Sequence, residues 1–172
     1  MKKITMAFVL AFVFSLSFGP LAIQAGAENM NFKLVSMVEK LEMVKVTETE
    51  GVIIGVIDRK GLSIFDNGEI ATTNCRGTFD TKKGFQGYTS MTFEDGSTLV
   101  LSWKGPTSQS RPADGKYNQY GMASEYVEGT GRFKGIKGSG TYTGKAPQWD
   151  ADYKAKGFTY YEVSGTYTLP SQ

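Results

Sequence analysis

Short runs of β-branched and aromatic residues recur along the chain, each closed by a turn signal, and no other feature constrains the fold as tightly. Val52 to Ile57 is one such run, and Leu62 to Phe65 follows, closed by Asp66-Asn67-Gly68. Glu69 to Phe79 is a long alternating run. Gly87 to Phe93 leads through Glu94-Asp95-Gly96-Ser97 into Thr98 to Trp103, and an Asp-Gly pair between two such runs is a strong hairpin signal. A polar loop over 105–116 precedes Tyr117 to Val127, which runs into the turn Gly129-Thr130-Gly131. Gly138 to Gly144 and Phe158 to Leu169 complete the set. Phe32 to Thr47 reads two ways. With period two, Val35, Met37, Leu41 and Met43 share a face; with helical spacing, Leu34, Val38 and Leu41 form a stripe. A long strand is the preferred reading, because Val44-Lys45-Val46-Thr47 is strand-like and no convincing N-cap precedes the run. About eight strands with short turns predict an all-β chain, either an antiparallel up-and-down β-barrel of calycin-like form or a sandwich. A barrel closes its own edges, which suits a chain that must avoid aggregation without covalent staples.

The N-terminus predicts export. Met1-Lys2-Lys3 is a short positive segment, Ile4 to Phe18 is almost wholly apolar, and Ala25-Gly26-Ala27 supplies small residues for a signal peptidase. The apolar run is short for a bilayer span, which needs about 20 residues, and Gly19-Pro20 interrupts it. The expected organisation is a cleavable signal over 1–27 and one barrel domain over 28–172, secreted or periplasmic, with no stable membrane insertion after cleavage. Lys2 and Lys3 are the only charges before Glu28, so the mature chain keeps 17 basic and 17 acidic residues. A neutral balance gives no electrostatic footprint for nucleic acid.

Two absences narrow the chemistry. There is no histidine, so Ser-His-Asp and Cys-His catalysis and histidine-based zinc sites are excluded. Cys75 is the single cysteine, which excludes an intramolecular disulfide and a thiolate metal site. A buried, inert thiol is the expected state. Asp66-Asn67-Gly68-Glu69 and Asp150-Ala151-Asp152 lack the spacing of a calcium loop. No metal and no cofactor are expected.

The segment Glu128-Gly129-Thr130-Gly131-Arg132-Phe133-Lys134-Gly135-Ile136-Lys137-Gly138 resembles the Gly-Gly-Thr-Gly-x-Phe-x-x-Ala-x-Gly hairpin of allene oxide cyclase-like and dirigent-like barrels. Gly129, Thr130, Gly131, Phe133 and Gly138 match; Glu128 replaces the first glycine and Ile136 stands at the alanine position. The resemblance implies an eight-stranded antiparallel barrel with an apolar cavity. The plant enzymes of this kind guide cyclisation or radical coupling by holding a substrate in shape. The motif itself is mainly structural, with glycines for a tight turn and Phe133 placed to plug a barrel end. A faint echo, Ser139-Gly140-Thr141-Tyr142-Thr143 and Ser164-Gly165-Thr166-Tyr167-Thr168, fits two neighbouring strands in similar environments.

Alternation predicts which side chains point inward. Leu99, Leu101 and Trp103 share a face, as do Met91 and Phe93, and Tyr161, Val163 and Tyr167. Cys75 shares one with Ala71, Thr73 and Phe79. The candidate ligand-binding set is Cys75, Met91, Phe93, Leu101, Trp103 and Tyr161. Glu39 falls on the Val35/Met37/Leu41/Met43 face and Glu125 between Ala123 and Val127. A carboxylate on an apolar face is desolvated and suited to acid–base work, so these two are the candidate catalytic acids; a bulge or one-residue shift would expose them instead. The leading expectation is a barrel that binds a small apolar molecule. The alternatives are a cofactor-free cyclase or isomerase and a filled structural barrel.

Overall fold

The computed structural model describes residues 26–47, 51–106, 117–147 and 157–171. Nearly all of the expected signal segment, most of the polar loop over 105–116, and Asp150-Ala151-Asp152 lie outside the described residues. Eight strands follow one another: β1 Glu28–Lys45, β2 Ile53–Phe65, β3 Ile70–Asp80, β4 Gly84–Thr92, β5 Thr98–Gly105, β6 Tyr117–Gly129, β7 Lys137–Pro147 and β8 Phe158–Thr168. A 3-10 turn over Gly131–Phe133 joins β6 to β7. Every strand pairs antiparallel with its neighbour in sequence, and β8 returns to β1, so the sheet closes as an up-and-down barrel. This is the all-β architecture expected from the turn rhythm and from the hairpin. Closure leaves no unpaired edge among the strands.

The ambiguous N-terminal segment is one strand, β1. The runs Val52 to Ile57 and Leu62 to Phe65 are not separate strands. Asp58 to Gly61 stay paired to β3, from Asp58 with Arg76 to Gly61 with Thr73, so β2 is continuous. Sheet pairing on both sides carries this polar stretch, whose charged residues and glycine masked the strand signal. The sequence echo in β7 and β8 is the echo of neighbours, with Gly140 directly opposite Gly165.

Inside, one end of the barrel is packed solid. Phe32, Phe65, Phe93 and Phe133 form a chain of tilted rings with centroids 4.9 to 5.2 Å apart. Leu99 and Met91, both fully buried, lie in the same cluster. Thr130 opens the turn that delivers Phe133, and Gly131 adopts a φ of 56°, where a side chain would run into Ser97. Arg132 closes the plug from outside. Its guanidinium lies 4.6 and 4.9 Å from the ring centroids of Phe93 and Phe133 and pairs with Glu69 at 2.7 Å and Asp95 at 3.5 Å. Above the plug, Ser63 and Thr73 satisfy each other through a hydroxyl bond of 2.8 Å.

Two bulges decide which residues face outward. In β1, Val38 opposes Arg59 and Lys40 opposes Asp58, so Glu39 is the extra residue. Before it the inward positions are Met30, Phe32, Leu34 and Ser36, not Val35 and Met37. In β6, Val100 opposes Glu128 and Leu101 opposes Tyr126, so Val127 is the extra residue. Ser124 and Tyr126 therefore face inward, and Ala123 and Glu125 outward.

Candidate functional site

The barrel interior differs in its other half, toward the ends of β1, β3, β5 and β7. A cavity of about 40 Å³ lies there, walled by Leu34, Ile57, Phe85, Trp103, Tyr120 and Met122 and by the polar side chains Ser36, Arg59, Cys75, Thr89, Tyr142 and Tyr161. Ladder pairing explains the grouping. Arg59 opposes Cys75, and Cys75 opposes Thr89, so three adjacent strands present these side chains in one row. Strands β1 and β8 add Ser36 opposite Thr159 and Leu34 opposite Tyr161. Trp103 lies flat across Gly77 and Gly87; a Cβ at Gly87 would stand 2.6 Å from its ring. Those glycines make room for the indole, and its Nε1 donates to Thr89 Oγ1 at 3.1 Å.

Thr89 then donates to Cys75 Sγ at 3.4 Å. Burial pushes the Cys75 thiol up, against smaller downward pulls from this bond and from Arg59. Cys75 is thus a neutral, buried thiol at neutral pH, unsuited to attack as a thiolate. Burial also raises the Tyr161 phenol, to about 12, and raises Tyr142 further, with Cys75 adding to the shift. Tyr142 lies near Thr89, yet its hydroxyl reaches no partner within bonding geometry. Arg59 points into the cavity half-buried, and its Nη1 donates to Thr159 Oγ1. Among the described residues no carboxylate lines this cavity. Among the described residues no three of His, Cys, Asp and Glu gather where a metal could bind. The site is a small aromatic chamber with neutral hydroxyl and thiol groups and one cation.

The predicted ligand-binding set divides. Cys75, Trp103 and Tyr161 line the cavity. Met91 and Leu101 are fully buried in packed core, and Phe93 belongs to the plug, so these three do not reach it. Both candidate acids are exposed, which corrects their expected inward placement. Glu39 sits at the β1 bulge and pairs with Lys60 at 2.6 Å, and Glu125 faces outward opposite Ser102 and Ser139. The desolvation that would suit them to acid–base work is missing. Sequence reasoning missed Arg59, Ser36, Thr89 and Tyr142. Continuous alternation from Ile57 through Arg59 and Ser63 to Phe65 was the available signal for Arg59, hidden by the break placed at Asp58.

No family model matches the chain, and no curated protein matches it. A solved structure does. The chain is similar to the pterocarpan synthase dirigent protein GePTS1, with 18% identity over 86% of this chain and 93% of that one and a TM-score of 0.48. The barrel itself is established by the strand pairing.

Proposed function

We propose that this is an exported barrel protein that binds one end of a small, largely apolar ligand in the chamber beside Trp103. The observation that carries the reading is the asymmetry of the interior: one end is plugged by phenylalanines, while the other keeps a cavity walled mainly by aromatic and aliphatic groups. Its volume, about 40 Å³, holds a group of a few non-hydrogen atoms. Whole drug-sized ligands occupy roughly 300–1,000 Å³, so most of this ligand lies at or beyond the mouth. The signal-like N-terminus supports an extracellular or periplasmic setting.

Trp103 and Trp149 are the two tryptophans, so Trp149→Phe leaves Trp103 as the only indole reporter. Titration of that variant with octanamide, octanoate and octylammonium is expected to give a saturable change in Trp103 emission with at least one of them. No saturable change with any of the three overturns the binding reading in favour of a filled structural barrel.

A further inference from the structure

We infer that the chamber carries an anion subsite, in which Arg59 with Ser36 and Tyr142 holds the carboxylate head of an otherwise apolar ligand. The inference rests on the binding reading above and names the ligand class for it.

The first observation is a cation without a counter-charge. Arg59 is held inward by its place in the β1–β2–β3 ladder, opposite Val38 on one side and Cys75 on the other. The hydrogen bond it makes goes to a neutral hydroxyl, that of Thr159. Among the described residues no Asp or Glu lies within ion-pair distance of it. The neighbouring acid in sequence, Asp58, faces the other way and pairs with Arg76 at 3.7 Å. A half-buried guanidinium that spends one donor on a hydroxyl and meets no carboxylate keeps donors that an anionic ligand can engage.

The second observation is independent of the first. Four buried hydroxyls lack any hydrogen-bond partner among the described residues, and two of them, Ser36 and Tyr142, line this same cavity. Native proteins rarely leave such groups unpaired. Ser36 stands directly opposite Thr159, the residue that receives the Arg59 bond, so one orphan hydroxyl and the free face of the guanidinium belong to one corner. Every polar group there can donate, and among the described residues no anionic acceptor faces them. The complement is a small planar anion with two oxygens, which a guanidinium fork engages through two parallel bonds.

Cavity size and lining fix the rest. A volume of about 40 Å³ admits a carboxylate and little more. Phe85, Tyr120, Met122 and Trp103 provide the apolar wall along which a hydrocarbon or aryl tail leaves the head group.

Calorimetric titration with octanoate, octanamide and octylammonium tests the inference, because these share a tail and differ at the head. Wild-type protein is expected to bind octanoate about tenfold more tightly than octanamide, as a charge-assisted bidentate contact should, and octylammonium most weakly. Arg59→Met is expected to bring octanoate down to the level of octanamide and to leave octanamide within about twofold. Equal binding of octanoate and octanamide by wild-type protein overturns the anion subsite while leaving the binding chamber in place. An octanoate preference that survives Arg59→Met overturns the role of Arg59. Binding of none of the three overturns the chamber itself. The wild-type preference needs no variant, so it decides even if Arg59→Met fails to fold.

Discussion

Arg132 and Arg59 stand at opposite ends of the barrel, and their surroundings differ in kind. Arg132 lies over two phenylalanine rings and meets two carboxylates, Glu69 and Asp95. Those acids are themselves organised. A bond from the Asn67 side chain, then one from Arg132, holds Glu69 below the usual carboxylate range; the Ser97 backbone N–H does most to lower Asp95. Arg59 has a threonine hydroxyl and no acid within reach among the described residues. An arginine that serves the fold is built in with its counter-charge. Arg59 lacks one among the described residues and stands beside orphan hydroxyls and empty volume, which is why the proposed anion subsite is centred on it.

The comparison also predicts where stability resides. The plug end should behave as close-packed core and the chamber end as tolerant of hydroxyl loss. Phe65→Ala removes a ring that touches both Phe32 and Phe93, at centroid distances of 4.9 and 5.2 Å. A loss of about 3–5 kcal/mol is expected in urea denaturation. Tyr142→Phe deletes an unpartnered buried hydroxyl and is expected to leave stability unchanged or slightly raised. A small loss for Phe65→Ala together with a large one for Tyr142→Phe would invert the assignment of the two ends.

An effect of intermediate size should appear at high pH and come in part from the chamber; Tyr126 and Tyr167 at the plug end, also raised to about 12 chiefly by burial, add to it. Tyr161, Tyr142 and Cys75 all have raised values in the folded state, caused first by burial. In the unfolded chain a thiol ionises near 9.0 and a phenol near 10.0. A group raised on folding contributes stability that is complete below its unfolded value and is lost as pH climbs toward the folded one. Stability should therefore be level through neutral pH and start to fall near pH 9. Above pH 10 it should fall more steeply, by up to about 1.4 kcal/mol per pH unit for each phenol that stays protonated only when folded. Urea midpoints across this range would show it, and Tyr161→Phe should flatten the steeper part. An unchanged alkaline slope in Tyr161→Phe would mean that this phenol is not desolvated as the chamber requires.

The sequence was most legible where its period was uninterrupted. Turn positions, the approximate strand count and the inward faces around Cys75, Trp103 and Tyr161 follow from alternation and turn chemistry, whereas barrel closure rather than a sandwich was implied by the resemblance of the hairpin over 129–138, in which Phe133 stood as the plug. It was least legible where one inserted residue reversed the face. The bulge at Glu39 makes the outward Val35 and Met37 resemble an inward set continuous with Leu41 and Met43. The extra residue Val127 leaves Ala123, Glu125 and Val127 looking like a half-buried face. Bulges depend on both partner strands, so one strand's pattern cannot announce them. Arg59 was hidden for a related reason: a charged residue amid Asp58-Arg59-Lys60-Gly61 reads as a break until pairing on both sides is seen.

The smallest predicted effect bears directly on whether Arg59 lacks a counter-charge. Glu39→Gln and Glu125→Gln remove the two carboxylates that the alternation pattern had placed inside. Glu39 is close to half exposed, with a 47% exposed side chain, and its partner Lys60 is more exposed still. An ion pair in such a setting is worth roughly 0–1 kcal/mol, because water screens it and two long side chains must be held in place. Glu125 is exposed on a strand whose inward neighbours are Ser124 and Tyr126. Each substitution is therefore expected to shift the urea midpoint by no more than about 0.5 kcal/mol in stability and to leave octanoate binding unchanged. A stability change of several times that size, or a gain in octanoate affinity in either variant, would mean that a carboxylate reaches the interior. Removing a carboxylate that neutralised Arg59 would free the guanidinium for an incoming anion. Tighter octanoate binding in Glu39→Gln or Glu125→Gln would thus reveal a hidden counter-charge and erase the difference between the two arginines.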